Sequence, residues 1–148
     1  MRKVCVTGAG GFIGHHLARY LKNKGYWVRG VDIKEPEFSS KNEMDEFLKI
    51  DLRNPENCLK AANGVDDVYN LAANMGGIGF ITFHKSDVLS DNVLINTNMA
   101  LACKENGVKR AFYSSSACVY PISKQVNPNI TALKEEDAYP AEPDNEYG

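Results

Sequence analysis

At 148 residues the chain is long enough for one domain with a real core and too short for a two-lobed architecture, so one domain, or a piece of something larger, is expected. Its 17 basic and 19 acidic residues leave a net charge of −2, and the lysines and arginines are scattered, which argues against nucleic acid as a partner. No apolar run approaches a membrane span and no room exists before the first strand-like stretch for a secretory leader, so no membrane is expected and the location expected is cytoplasmic.

The stretch "KVCVT" (3–7) is β-branched and ends in a glycine-rich turn. Residues 12–24 then place Ile13, Leu17, Tyr20 and Leu21 on one helical face, and Gly25 follows at a helix-stop position. A second strand is predicted at 26–32, a polar and solvent-exposed loop at 34–46, and a third strand at 47–51. A helix with Pro55 in its first turn spans 55–62, and a fourth strand spans 67–73. A long helix from about 86 to 106 precedes a fifth strand at 109–115. The tail from Val119 onward holds four of the six prolines and reads as irregular. Strands and helices alternating in this way imply parallel pairing through crossovers: an α/β fold with a doubly wound parallel sheet of about five strands, of Rossmann type. Cys5, Cys58, Cys103 and Cys118 show neither a C-x-x-C pair nor ligand-like spacing with His15, His16 or His84, so neither a metal site nor a disulfide framework is expected.

The strongest motif is "TGAGGFIG" (7–14), with Gly8, Gly11 and Gly14 in step, Gly10 extra, and Phe12 and Ile13 between the last two. Set between a predicted strand and an amphipathic helix, these glycines suit a tight turn, close backbone approach to a pyrophosphate, and helix-on-strand packing. The helix N-terminus offers N–H groups to phosphate. Asp32, at the end of the second strand, stands where an acidic residue takes the adenosine ribose hydroxyls. A carboxylate there repels a 2′-phosphate, so NAD is expected over NADP, with Lys34 the neighbour that softens this preference.

These motifs, with "IDLR" (50–53), "NLAA" (70–73), "SSSACVYP" (114–121) and "EYG" (146–148), resemble the extended short-chain dehydrogenase/reductase superfamily of NAD-dependent nucleotide-sugar epimerases and dehydratases. Within it, "NMGGIGF" (74–80), "SSACVYP" and "DAYPAEPDNEYG" (137–148) resemble the 3,5-epimerases of GDP-hexoses. The resemblance implies an NAD-binding core over 1–118 and an irregular active-site segment over 119–148. It implies that Asp51 and Leu52 flank the adenine, that Leu71, Ala72 and Ala73 line the cofactor crevice, and that Gly76 and Gly77 lie close to a nucleotide-sugar substrate, a GDP-hexose. From spacing alone, "GGIG" reads equally as a flexible loop. Ser116 matches a hydroxyl that bonds the hexose 4-oxygen, with Ala117 beside it, and Tyr147 matches the catalytic and cofactor-contacting tyrosine. One departure is Asp91-Asn92, where the superfamily often has Asn-Asn.

In such enzymes transient oxidation at C4 of the hexose acidifies the protons on C3 and C5, and epimerisation then needs an acid/base pair. A thiol, ordinarily with a pKa of about 8.5, is suited to that exchange near neutral pH. Cys118 is therefore read as one half of the pair, with a small side chain filling a loop as the other reading. The superfamily signature Tyr-x-x-x-Lys is cut after Tyr147, so the expectation is an N-terminal part of a larger enzyme, lacking the C-terminal substrate domain and inactive alone. The fifth strand is then an edge that self-association, as a homo-oligomer, could cover. Alternatives are a 4-epimerase, a 4,6-dehydratase, or a non-catalytic NAD(H)-binding module. No acidic residue lies between Ser114 and Lys124, where a dehydratase is expected to carry one.

Overall fold

The computed structural model describes residues 1–37, 43–126 and 132–142. Strands β1 (Lys3–Thr7), β2 (Trp27–Asp32), β3 (Glu46–Lys49), β4 (Asp67–Asn70) and β5 (Arg110–Tyr113) form one parallel sheet in the order β3-β2-β1-β4-β5. Helices α1 (Phe12–Asn23), α2 (Pro55–Ala62), α3 (Ile78–Phe83) and α4 (Lys85–Glu105) lie between them in sequence. The chain builds β2 and β3 outward on one side of β1, then returns to build β4 and β5 on the other. The strand order therefore reverses between β1 and β4, and the expected doubly wound sheet is the one observed. Among the described residues no helix is long and apolar enough to cross a membrane.

The chain divides into two compact units, Met1–Asn74 with Asp91–Ser114, and Met75–Ser90 with Ser115–Gly148. The first unit holds the sheet, and its core has two faces because strand side chains alternate. Along β1, Val4 and Val6 join a cluster with Ala18 and Leu21 of α1, whereas Cys5 between them joins Cys58 and Ala61 of α2 and Met99, Ala102 and Cys103 of α4. Burial pushes the thiols of Cys5 and Cys58 up to about 12 and raises that of Cys103, as expected of small core side chains. On the same face Arg29 of β2 donates to Glu46 at 2.6 Å and to the carbonyls of Lys60, Ala61 and Asn63 at 2.7–3.2 Å, so a cation occupies the carboxyl end of α2. At the other end of α2, Asn54 accepts from Glu56 N at 2.9 Å and Pro55 takes the first helical position.

Four local expectations are corrected. On α1 the buried face is Gly14, His15, Ala18 and Leu21, while Ile13 and Tyr20 point to solvent. The reason is proximity: a Cβ on Gly14 would fall 2.0 Å from the carbonyl oxygen of Gly8, so the helix sits against the turn at a position where no side chain fits. Segment 34–46 is not wholly a solvent-exposed loop. Met44 is buried over Gly30, where a Cβ would meet its sulfur at 2.1 Å, and Asp45 pairs with both the N–H and the carbonyl of Val28. Residues 38–42 lie outside the described ones. Finally, the fourth strand ends at Asn70 rather than 73, and "GGIG" opens a helix, α3, rather than a flexible loop.

At the amino edge of the sheet, Asp67 opens β4 with a side chain only 3% exposed. It accepts from Arg2 at 2.6 and 2.7 Å and from Arg110 of β5 at 3.1 and 3.2 Å. The hydrogen bonds from Arg2, helped by Arg110 against the effect of burial, hold its carboxyl down at about 2. A carboxyl with a depressed folded value stabilises above its ordinary value near 3.8 and loses that contribution as pH falls through about 2, here on the order of 2 kcal/mol. Urea unfolding at a series of pH values is expected to show this acid limb. Asp67→Asn, which leaves two guanidinium groups facing each other, is expected to lower stability at pH 7 by about 2–4 kcal/mol and to flatten the limb.

Candidate functional site

The glycine corner follows β1 at the carboxyl edge of the sheet, beside the point where strand order reverses. Gly8 has φ +69, and a Cβ on it would lie 2.9 Å from the carbonyl oxygen of Leu71 after β4. Both constraints select glycine: the left-handed backbone and the close passage of the neighbouring chain. Ala9 N donates to Val31 O at 3.2 Å and Gly11 N to Gly8 O at 3.0 Å, which folds the turn against β2 and closes it. Gly11 then caps α1 without a side chain, and the first turn of α1 contains no acidic residue. The positive end of a 12-residue helix thus faces the carboxyl edge with no side-chain cap. Such an end accommodates an anion. Phe12 and Ile13 are exposed, so within this turn their contribution is backbone N–H, while the buried His15 ring lies with Nδ1 3.2 Å from Gly11 O.

Asp32 ends β2 with both carboxylate oxygens engaged by backbone. Oδ2 accepts from Gly10 N at 2.9 Å and Oδ1 from Lys34 N at 3.1 Å. Each oxygen keeps a further lone pair, so the carboxylate is fixed in direction yet able to take ribose hydroxyls. Gly10, extra to the spacing of the motif, is thus the donor that aims Asp32.

The opposite wall is set by Thr7. Its hydroxyl accepts from the N–H groups of Leu71 and Ala72, both at 3.0 Å, and donates to Asn70 Oδ1 at 2.8 Å; Asn70 Nδ2 donates on to Asn96 of α4 at 2.9 Å. Leu71, Ala72 and Ala73 accordingly leave the ladder and form the lip of the sheet edge beside Gly8. Thr7 and Asn70 were not among the residues singled out in the sequence. Their signal was the polar residue closing each of two neighbouring strands.

Asp51 and Leu52 follow β3. Leu52 is buried in the core, and its carbonyl accepts from the Cys58 thiol at 3.0 Å, whereas Asp51 reaches solvent. Arg53 joins Asp51 at 2.6 Å to Asp91 of α4 at 3.1 Å, and Asp91 also accepts from Asn74 Nδ2 at 2.9 Å. The hydrogen bond from Arg53 holds the Asp51 carboxyl below its ordinary range. Asn92 closes a two-way pair with the backbone of Asn74, accepting from its N–H at 2.8 Å and donating to its carbonyl at 3.0 Å. The departure at Asp91-Asn92 is thus explained within the chain: the acid meets Arg53, and the amide holds the loop after β4.

In the second unit, Gly76 would clash with Phe80 at 2.8 Å if it carried a Cβ, and Gly77 caps α3, its carbonyl accepting from Ile81 N at 3.2 Å. Ser116 caps a single tight turn, Ala117–Val119, its hydroxyl oxygen accepting from Cys118 N at 3.1 Å. The turn brings a hydroxyl, still able to donate, and a half-buried thiol within two residues of each other. Tyr147 lies outside the described residues.

The model that describes the NAD dependent epimerase/dehydratase family matches residues 4–148. GDP-mannose 3,5-epimerase of Arabidopsis thaliana is 50% identical over 147 residues, which is 99% of this chain and 39% of that protein. The chain thus spans about two-fifths of the length of that curated relative. Among solved structures, a short-chain dehydrogenase/reductase superfamily protein from Agrobacterium tumefaciens with bound NAD superposes with a TM-score of 0.79 at 25% identity, covering 99% of this chain and 40% of the other. UDP-N-acetylglucosamine 4-epimerase from Methanobrevibacter ruminantium, in complex with UDP-N-acetylmuramic acid, gives 0.76 at 25% identity, covering 99% and 46%.

Thr7→Val keeps the shape of the side chain but strands two part-buried N–H groups and the Asn70 amide oxygen. It is expected to lower unfolding free energy by about 2–4 kcal/mol in urea titrations, whereas Thr7→Ser, which keeps the hydroxyl, is expected to lose less than about 1 kcal/mol.

Proposed function

Because the chain belongs to the NAD dependent epimerase/dehydratase family, we propose that it is the NAD-binding portion of a nucleotide-sugar 3,5-epimerase acting on a GDP-hexose, GDP-mannose first. The observation that carries this reading is the glycine corner, whose close backbone contacts put the uncapped start of α1 at the carboxyl edge of a parallel sheet with Asp32 alongside. The chain's residues fit the dinucleotide by that test. Gly8 and Gly11 shape the turn against the diphosphate, Phe12, Ile13 and Gly14 at the start of α1 meet it through backbone N–H groups, and Asp32 takes the adenosine ribose. Asp51 meets the adenine edge, Leu52 supports it from the core, and Leu71, Ala72 and Ala73 close the other side. NAD, when bound, supplies the hydride acceptor and donor for C4 of the hexose.

On the sugar, Gly76 and Gly77 leave room for the ring, and Ser116 donates from Oγ to the 4-oxygen while its lone pair remains on Cys118 N–H. With C4 at the ketone level the C3 and C5 protons are acidic; the Cys118 thiolate takes the proton from one of these carbons on one face of the ring, and the other member of the acid/base pair returns one from the opposite face. Ala117 keeps the turn between them small. Tyr147 is assigned the proton of the 4-hydroxyl. The reading of Cys118 as a reagent is supported by its partial exposure, in contrast to Cys5, Cys58 and Cys103, which are buried.

The test is deuterium wash-in. The protein carrying this chain, incubated with GDP-mannose in deuterated water, is expected to place label at C3 and C5. Inversion at C4 without label at C3 or C5 would replace the 3,5-epimerase by a 4-epimerase. Cys118→Ala is expected to lower exchange at least about a hundredfold with NAD affinity unchanged; exchange that persists would make the thiol filler.

A further inference from the structure

The stretch Asp32 to Glu37 folds back on the glycine corner. Gly10 gives both of its backbone groups to this stretch: its N–H donates to Asp32 at 2.9 Å, and its carbonyl accepts from Glu37 N at 3.3 Å. A Cβ on Gly10 would lie 2.9 Å from Lys34 O and 3.0 Å from the Asp32 carboxylate, so the fold-back requires glycine there. Two lysines flank Asp32. Lys34 follows it by two residues, and Lys49 is its register partner on β3. Each has a carboxylate from the same short stretch: Lys34 Nζ lies 2.7 Å from Glu37 Oε1, and Lys49 Nζ lies 3.8 Å from Glu35 Oε1. The hydrogen bond it donates to Glu37 raises the Lys34 ammonium above its ordinary value.

Ion pairs this exposed add little to the stability of a fold. Their effect on charge is larger. Asp32, Glu35 and Glu37 against Lys34 and Lys49 sum to −1 beside the carboxylate that meets the adenosine ribose, and without the two glutamates the sum is +1. A 2′-phosphate brings close to two further negative charges and needs a lysine or arginine to receive them. We propose that Glu35 and Glu37 are specificity-determining residues that exclude a 2′-phosphorylated dinucleotide by occupying Lys34 and Lys49, which would otherwise serve as its phosphate ligands. Asp32 alone repels the phosphate; the glutamates also remove its receptors. This inference rests on the reading of the glycine corner as the NAD site.

The experiment is calorimetric titration of the chain with NAD and with NADP at low ionic strength, for the wild type and for Glu35→Gln/Glu37→Gln. The double variant is expected to bind NADP roughly tenfold more tightly with NAD affinity kept within about threefold, and the gain is expected to shrink at high salt. Adding Lys34→Gln and Lys49→Gln to the double variant is expected to cancel the gain. Unchanged NADP affinity, or NAD and NADP affinities rising together, would overturn the proposal; so would a gain that survives loss of both lysines, since it would come from lost repulsion alone. A wild-type chain that binds neither dinucleotide would instead overturn the NAD-site reading. Because these side chains are exposed, thermal midpoints of all variants are expected to match the wild type, which keeps the affinities comparable.

Discussion

The parallel ladder of β4 would run on past Asn70 were its next two N–H groups not taken by the hydroxyl of Thr7. In a two-sided sheet, buried backbone groups must find partners, and the strand continues wherever the neighbour supplies them. Here a side chain supplies them. The chain after β4 is thereby released at the level of Gly8, and its carbonyl at Leu71 comes so near that the residue opposite it can only be glycine. The left-handed turn at Gly8, the seating of α1 and the lip formed by Leu71, Ala72 and Ala73 all depend on that one oxygen being where β1 ends.

A second layer of order is electrostatic. Arg53 lies between Asp51 and Asp91, and through Asn74 it reaches the loop after β4, so the segment after β3, the loop after β4 and α4 share one network. Asn98 donates to the carbonyl of Arg53 at 2.9 Å and fixes its backbone as well. An asparagine at position 91 would carry no charge for the guanidinium, which is the physical reason an acid suits this chain there. The acidic Asp32–Glu37 stretch works by the same principle on the far side of the corner, where exposed charges decide which anion is admitted and contribute little to holding the fold.

How much of this could be read from the residues follows the range of the forces involved. The alternation of strand and helix, the glycine corner, Asp32, the helix stop at Gly25 and the helix start at Pro55 were legible because each is a local backbone requirement with its own residue type. The face of α1 was not. Apolar periodicity pointed to Ile13 and Tyr20, but the approach of helix to turn required Gly14 and Ala18 inward, and small residues carry a weak hydropathy signal. The bound end of segment 34–46 was hidden for the same kind of reason, since Met44 is buried only because Gly30, 14 residues earlier, leaves a gap for it. Among the site residues, Ser116 and Cys118 were found by resemblance, whereas Thr7, Gly10 and Arg53 act through partners distant in sequence that no spacing rule announces. β4 was overextended because "LAA" has the composition of a strand while its hydrogen bonds go to a hydroxyl.

The unequal burial of the four cysteines has a practical side. Three thiols are enclosed by the sheet and its helices and held in the protonated form, where they neither meet nor attack an electrophile. The fourth, Cys118, is only partly buried. A maleimide dye added to the folded native chain therefore attaches first at position 118, and occupancy of the neighbouring turn can be followed by fluorescence with no residue removed.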